Sequence, residues 1–166
     1  MAEHILAQLI EHNNWANLQV FDACAILTDA QLDHQPQSAV RGTIRETLEH
    51  LVLSQEDYAS MLLTADHPPE RETTPTLSEL RGIVEQSGQQ LLALAQDSAS
   101  STLQSQIHIS DGYRVEPWVI ITQVINHATE HREQIKSILS NLGIEPPRID
   151  GWMYGRTKNA LLPPSD

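Results

Sequence analysis

The stretch that decides the fold is Pro117–Gly143, which reads PWVIITQVINHATEHREQIKSILSNLG. Its apolar residues recur at the spacing of an amphipathic helix. A proline suits the first turn of a helix and a glycine suits its end, so these two residues mark the limits. The stretch therefore predicts a long helix with one buried face. The residues of that face are Ile121, Val124, Ala128, Ile135, Ile138 and Leu142.

Three more helices are predicted upstream of this one. The first runs from about residue 2 to residue 27 on an apolar stripe. The second and third each begin with a threonine followed three residues later by a glutamate, a pair that caps helix N-termini. These pairs are Thr43 with Glu46 and Thr76 with Glu79. Four helices without a competing sheet predict an all-α, up-and-down four-helix bundle.

Two connections are long for a minimal bundle, one between the first and second helices and one between the third and fourth. In the second of these connections, residues 103–116, the helical period is lost. Ile107 and Val115 flank an Asp111-Gly112 pair there. Because Asp-Gly favours a tight turn between strands, we predict a short hairpin or irregular segment between helices 3 and 4.

The length and charge of the chain limit the classes of partner. The 166 residues fit one domain spanning 1–166, of which we expect 155–166 to be a loose tail. Ten Lys and Arg against 22 Asp and Glu give a formal net charge of −12. An acidic protein repels phosphate backbones and anionic lipids, so we expect no nucleic-acid or membrane partner.

The single cysteine, Cys24, excludes an internal disulfide and is compatible with a reducing compartment. Its apolar neighbours favour an inert thiol at the buried end of the first helix. Neither a signal sequence nor a membrane-spanning stretch is visible, so we expect a cytoplasmic protein.

His127 and His131 are the first candidates for chemistry. They are four residues apart on a predicted helix, so they share the apolar face that contains Val124 and Ile135. Buried imidazoles are costly without partners, and one metal ion satisfies both rings. Hydrogen bonds to carbonyl or carboxylate groups would satisfy two core histidines equally well. The spacing alone therefore does not decide between a metal site and ordinary core residues.

A metal site needs at least a third ligand, for which the sequence offers several histidines. His50 lies at the border between the apolar and acidic faces of the second helix, and His12 is a comparable competitor on the first. His108, in the predicted hairpin, can point either way. The residues alone thus give two ligands and a short list for the third.

Four segments, in this order and with these gaps, match motifs of a known family. They are His12–Asn17 (HNNWAN), Ser38–Leu51 (SAVRGTIRETLEHL), Val124–Ile135 (VINHATEHREQI) and Leu142–Asp150 (LGIEPPRID). On these segments the chain resembles the DinB/YfiT-like superfamily of metal-dependent helical bundles, which is distinct from the DNA polymerase of the same name. The resemblance covers about residues 3–154 and implies a DinB/YfiT-like four-helix bundle.

The resemblance also implies a ligand set. In that superfamily one histidine of the second helix and two of the fourth hold the metal, which here implies His50, His127 and His131. Three imidazoles suit zinc or nickel and leave a position open for water or substrate. The sequence departs from the usual pattern at Glu130, where an aromatic residue is common, and at Glu133, where glycine is common.

A metal-dependent enzyme acting on a small molecule is the function that the resemblance implies. Characterised members include thiol S-transferases, so a low-molecular-weight thiol is an expected co-substrate, and metal-assisted hydrolysis is the related reaction. The alternative is a non-catalytic metal-binding protein with a stress-response or scaffold role. Members often pair through helix faces, which implies a homodimer.

The catalytic group stays undetermined beyond a metal-bound water or thiol. Glu130 is a candidate base, because residues 127–131 match the H-x-x-E-H order of some metallopeptidases, but the sequence predicts no sheet scaffold of the kind those enzymes use. Arg132, Gln134 and Asn126 match the family motif near the histidines. A structural role between helices suits these three at least as well as a role at the metal.

Overall fold

The computed structural model describes residues 2–36, 42–97, 103, 105–109 and 112–161, with side chains from residue 5 onward. Most of these residues are helical, as predicted. In chain order the elements are α1 (Ala2–Cys24), α2 (Asp29–Leu32), α3 (Ile44–Thr64), α4 (Leu77–Gln96), β1 (Ile107–His108), β2 (Arg114–Val115), α5 (Pro117–Asn141) and α6 (Gly151–Thr157).

The long helices begin where the capping residues predict. The Thr43 hydroxyl accepts from the Glu46 N–H at 3.1 Å, and the Glu46 carboxylate accepts from the Thr43 N–H at 2.8 Å. Thr76 and Glu79 form the same reciprocal pair at the start of α4. After α5, Gly143 has a φ of +73°, a left-handed conformation that favours glycine. Local sequence therefore sets where α3, α4 and α5 begin or end.

The four long helices form a bundle with a cyclic order of α1, α4, α3 and α5. α1 packs against α4 and α5, and α3 packs against the same two helices. Helices joined by residues 25–43 and by residues 97–116 thus lie on diagonals of the bundle. The bundle is confirmed, but the side-by-side order of an up-and-down bundle was wrong. Both connections are long because each spans a diagonal.

The predicted hairpin lies in the connection between α4 and α5. β1 and β2 pair antiparallel, with Ile107 opposite Val115. Gly112 has a φ of +89°, and its N–H donates to the Ile109 carbonyl at 2.9 Å, which closes the turn. Asp111, the other residue of the predicted turn, lies outside the described residues.

Two apolar clusters fill the bundle, and buried polar residues separate them along the helices. On α3, for example, Gln55 lies between Val52 of one cluster and Ala59 of the other. We call these separating residues the polar layer; its members are Asn13, Asn17, Gln55, Ser87 and Arg132. Cys24 belongs to an apolar cluster, and burial raises the pKa of its thiol to about 12, which suits an inert thiol.

The sequence pattern does not predict α2 or α6. The Asp150 carboxylate caps α6 by accepting from the Met153 N–H at 2.9 Å, and Tyr154 ties α6 to α1 by donating to Glu11 at 2.9 Å. Helix therefore occupies residues 155–157 of the segment expected to be loose, while residues 162–166 lie outside the described residues. The domain limits 1–166 stay a prediction.

No helix in the described part of the chain has both the length and the apolar character that a bilayer crossing requires.

Candidate metal centre

Three histidine side chains converge between α3 and α5. His50 lies on α3, and His127 and His131 lie on α5. The Nε2 atom of His127 is 3.1 Å from Nε2 of His50 and 3.1 Å from Nε2 of His131. One ligand atom from each ring lies within 4.8 Å of the other two. The structure therefore brings together the three histidines of the predicted ligand set, which we call the triad.

Local sequence and helix packing together produce this convergence. The spacing of four residues puts His127 and His131 on consecutive turns of α5, with ring centroids 4.3 Å apart. α3 packs alongside α5. Leu48 and Leu51, which flank His50, are buried, so the rotation of α3 is fixed. His50 is thereby held at the edge of the apolar face, with its ring 4.7 Å from that of His131.

The protonation states of His50 and His127 suit metal ligands. Burial and then the charges that the neighbouring rings carry lower the pKa of His127 to about 4, and burial is the main cause that lowers the pKa of His50. Both rings are therefore neutral at pH 7 and offer a lone pair. His131 has its Nδ1 atom 2.8 Å from Oε1 of Gln134. Because a carbonyl oxygen only accepts, Nδ1 carries the hydrogen and Nε2 remains the ligand atom.

The distances between the rings also fit a bound ion. Nitrogen ligands about 2.0–2.1 Å from a tetrahedral metal ion lie roughly 3.3 Å from one another. The two separations of 3.1 Å in the triad are close to that value. A set of three imidazole nitrogens at these distances therefore matches the needs of a divalent transition-metal ion.

One side of the triad faces solvent. His50 is exposed, whereas His127 and His131 are half-buried. The rings of Tyr58 and His127 lie perpendicular to each other, with 5.7 Å between centroids and an angle of 89° between the ring planes. Gln123 donates to the Tyr58 hydroxyl at 3.4 Å. A small molecule can thus approach the triad past His50, with Tyr58 as one wall.

Of the other residues considered from sequence, Gln134 is the one with a hydrogen bond to the triad in the described chain. The His12 Nε2–H donates to the carbonyl of Ile149 at 2.8 Å, which removes that nitrogen from the list of ligands. His108 is exposed on β1. Glu130 and Asn126 are exposed on α5, and within the described chain the Glu130 carboxylate makes no hydrogen bond or ion pair. Glu130 as a base stays a prediction.

Arg132 points away from the triad, into the polar layer. It is only 3% exposed. Its Nη1 donates to Oδ1 of Asn13 at 2.8 Å and of Asn17 at 2.7 Å, and its Nη2 donates to the Thr129 hydroxyl at 3.0 Å. Asn17 in turn donates to Gln55 on α3 at 2.9 Å. Burial lowers the pKa of Arg132 to about 10, so it remains charged at pH 7 while it joins α5 to α1.

Gln134 was considered from the sequence with Arg132 and Asn126, with a structural role given at least equal weight, and the structure places its amide oxygen on His131. It follows His131 by three residues, the spacing at which side chains of one helix face meet. Gln55 and Ser87 stand at core positions of otherwise apolar helix faces, which indicates polar partners on other helices. The partners of Gln55 include Asn13 and Asn17 on α1, and the tertiary structure is needed to identify them.

Comparisons with known proteins agree with this architecture. A sequence model of the DinB family matches residues 1–161. The chain is similar to the crystal structure of a DinB-like protein, YjoA, from Bacillus subtilis, with a TM-score of 0.66 and 14% identity over 86% of this chain and 98% of that one. It is also similar to YfiT from Bacillus subtilis, described as a probable metal-dependent hydrolase with an unusual four-helix bundle topology. That match has a TM-score of 0.66 and 16% identity over 87% of this chain and 91% of YfiT. No curated protein matches the chain.

Proposed function

The chain belongs to the DinB family, and on that premise we propose that it is a metal-dependent enzyme that hydrolyses a small molecule at the triad. The observation that carries this proposal is the convergence of three Nε2 atoms, one of which belongs to the exposed residue His50. The description of YfiT as a probable metal-dependent hydrolase supports the choice of hydrolysis. Zinc and nickel are the proposed ions, because both suit imidazole ligands.

Different residues of the chain would have different roles at such a site. His50 and His127 stay neutral at pH 7 and keep their lone pairs available. Gln134 orients the ring of His131 through Nδ1, and Tyr58 lines the approach. A bound divalent ion with an open position lowers the pKa of a coordinated water or thiol and polarises a carbonyl.

Thiol S-transfer is the second candidate reaction. The exposure of His50 supports this reaction. S-transfer needs two small molecules, a thiol and an electrophile, to reach the metal from solvent. A thiol at the open position would lose its proton more readily, which makes it a better nucleophile. The small-molecule substrate, the thiol, the homodimer and the cytoplasmic location stay predictions.

Turnover by the metal-loaded protein tests the proposal. The protein is loaded with zinc or nickel and assayed against small esters, amides and phosphoesters, and separately against electrophiles with an added thiol. We expect turnover that a chelator abolishes, that falls to background in His127→Ala and that is unchanged in His108→Ala. His108 is the matched control because it is an exposed histidine on β1. Turnover only with a thiol would identify S-transfer instead. Metal binding without turnover in either assay would contradict the proposal and favour a non-catalytic role.

A further inference from the structure

A cavity of about 360 Å³ lies beside α5, and no residue of the triad lines it. α5 contributes Thr129, Arg132, Glu133 and Lys136, and α1 contributes His12. The segment 145–150, which precedes α6, forms the opposite wall. The cavity is therefore separate from the candidate metal centre, although both border the same helix.

Arg132 brings a positive charge to this cavity, where the Glu133 carboxylate acts on it through space and not through a hydrogen bond. Its hydrogen bonds go to the amide oxygens of Asn13 and Asn17, the Asn13 carbonyl and the Thr129 hydroxyl. Within the described chain no carboxylate forms an ion pair with Arg132. A cation that is 3% exposed is costly unless an anion compensates its charge.

Part of the Arg132 guanidinium is also without acceptors. Three of its five N–H donors are used, two on Nη1 and one on Nη2. The Nε–H and the second Nη2 hydrogen have no acceptor in the described chain. Among the same residues, Oδ1 of Asn14 is the one fully buried side-chain polar atom that has no hydrogen-bond partner. Because Arg132 Nε also has no partner, it must keep some accessible surface. Nε and Nη2 form an edge that binds a carboxylate through two parallel hydrogen bonds.

The charged groups around Arg132 leave this edge available. Lys136 and Arg148 add two cations to the lining. Of the acidic lining residues, Glu133 is engaged by Lys136 at 2.7 Å, and Asp150 caps α6. Glu145 is exposed at the rim, where it would oppose a bound anion.

We propose that this cavity binds a small carboxylic acid, whose carboxylate occupies the Nε–Nη2 edge of Arg132. The planar guanidinium edge matches a planar carboxylate, and the anion places a counter-charge in direct contact with Arg132. A volume of about 360 Å³ is at the small end of the range for ligand pockets, which suits an organic acid of a few carbons. Binding here requires no metal at the triad.

The Arg132 Nε–H resonance in 15N NMR tests this proposal. Acetate, succinate, inorganic phosphate and chloride are titrated at constant ionic strength, up to about 20 mM, which would saturate a site of millimolar Kd. We expect a saturable shift with a carboxylate and only a linear response to chloride. A response to carboxylates that does not saturate or equals that of chloride would overturn the proposal. Tighter binding of phosphate than of either carboxylate would overturn the assignment of a carboxylic acid.

Variants at the rim locate the site. Arg148→Gln should weaken binding about 3-fold at low salt, whereas Arg114→Gln, which removes an exposed cation from β2, should leave it unchanged. Glu145→Gln should tighten binding by a similar factor. Equal effects of the two arginine substitutions would contradict binding in this cavity.

Two further variants separate this site from the triad and test the guanidinium. His127→Ala should retain the full response, since no triad residue lines the cavity. Arg132→Lys should weaken binding at least about 10-fold, because an ammonium cannot form the two parallel bonds. If Arg132→Lys fails to fold, the comparison of Arg148→Gln with Arg114→Gln decides the question alone.

Discussion

His131 and Arg132 are adjacent residues of α5 that face two different kinds of polar cluster. His131 shares its cluster with two other imidazoles, whose nitrogen atoms converge at 3.1 Å beside solvent. Arg132 lies in the polar layer, where three of its five N–H donors meet amide and hydroxyl oxygens of the chain itself. Ring nitrogens that converge from three histidines indicate a site for a cation. Donors that meet acceptors on another helix indicate a role in holding helices together.

The largest expected effect comes from removing the buried cation. Arg132→Met leaves the Oδ1 atoms of Asn13 and Asn17 buried without their donor. We expect the free energy of unfolding to fall by about 3 kcal/mol or more, measured by urea denaturation. Lys136→Met is the matched control, because it removes a cation one turn further along α5 whose ion pair with Glu133 is exposed. That control should cost less than about 1 kcal/mol. Equal losses would show that the polar layer is not what holds α5.

The second largest effect is on the metal affinity of the triad. Gln134→Ala removes the acceptor that orients His131 through Nδ1. We expect metal affinity to fall by about 10-fold to 100-fold with little change in the urea midpoint. Gln123→Ala is the control, since its amide contacts the Tyr58 hydroxyl and not a triad ring. Competition with a metal-chelating dye measures both affinities, and an unchanged affinity in Gln134→Ala would exclude the orienting role.

A smaller effect tests the packing of α1 against α4. Asn14 donates to the carbonyl of Gly88 at 2.8 Å, and a Cβ atom at Gly88 would lie 2.8 Å from the Asn14 side chain. A Cβ atom at Gly82 on the same helix meets nothing within 4 Å. Gly82→Ala should therefore stabilise the protein by about 0.5–1 kcal/mol. Gly88→Ala should be about 1–2 kcal/mol less stable than Gly82→Ala. Equal stabilities would contradict a close contact at Gly88.

The smallest effect is the pH dependence of the metal-free protein. The pKa of His127 is about 4 in the folded chain and near the ordinary 6.5 when unfolded. Below 6.5 the unfolded chain takes up the proton first, so this residue makes stability fall as the pH drops from about 6.5 to about 4. When the pH is lowered from 7 to 4.5, the melting temperature of the wild type should therefore fall further than that of His127→Gln. Parallel curves would show that His127 keeps an ordinary pKa.

The sequence predicts the parts of this molecule that depend on local chemistry. Thr43 and Thr76 mark helix starts because a capping box needs only four consecutive residues. The spacing of His127 and His131 likewise predicts a shared face, and the structure confirms that they converge. The third member, His50, was assigned through the family resemblance, because its position on the helix border did not distinguish it from His12.

Features that depend on several helices at once were beyond the sequence pattern. The diagonal order of the bundle depends on which faces pack together, not on any single helix. Arg132 finds its acceptors on α1, at Asn13 and Asn17, far away in the sequence. Such partners are fixed by tertiary packing, so a periodic pattern can show only that a polar residue stands at a core position, as Gln55 does.

Metal content is the most direct test of the candidate metal centre. Protein purified without an affinity tag is analysed for bound metals, together with His50→Ala, His127→Ala, His131→Ala and His108→Ala, each checked for folding by circular dichroism. We expect about one zinc or nickel ion per chain in wild type and in His108→Ala, and loss of the ion in each folded triad variant. A wild type that carries no metal and binds none on titration would contradict the account, as would triad variants that keep it.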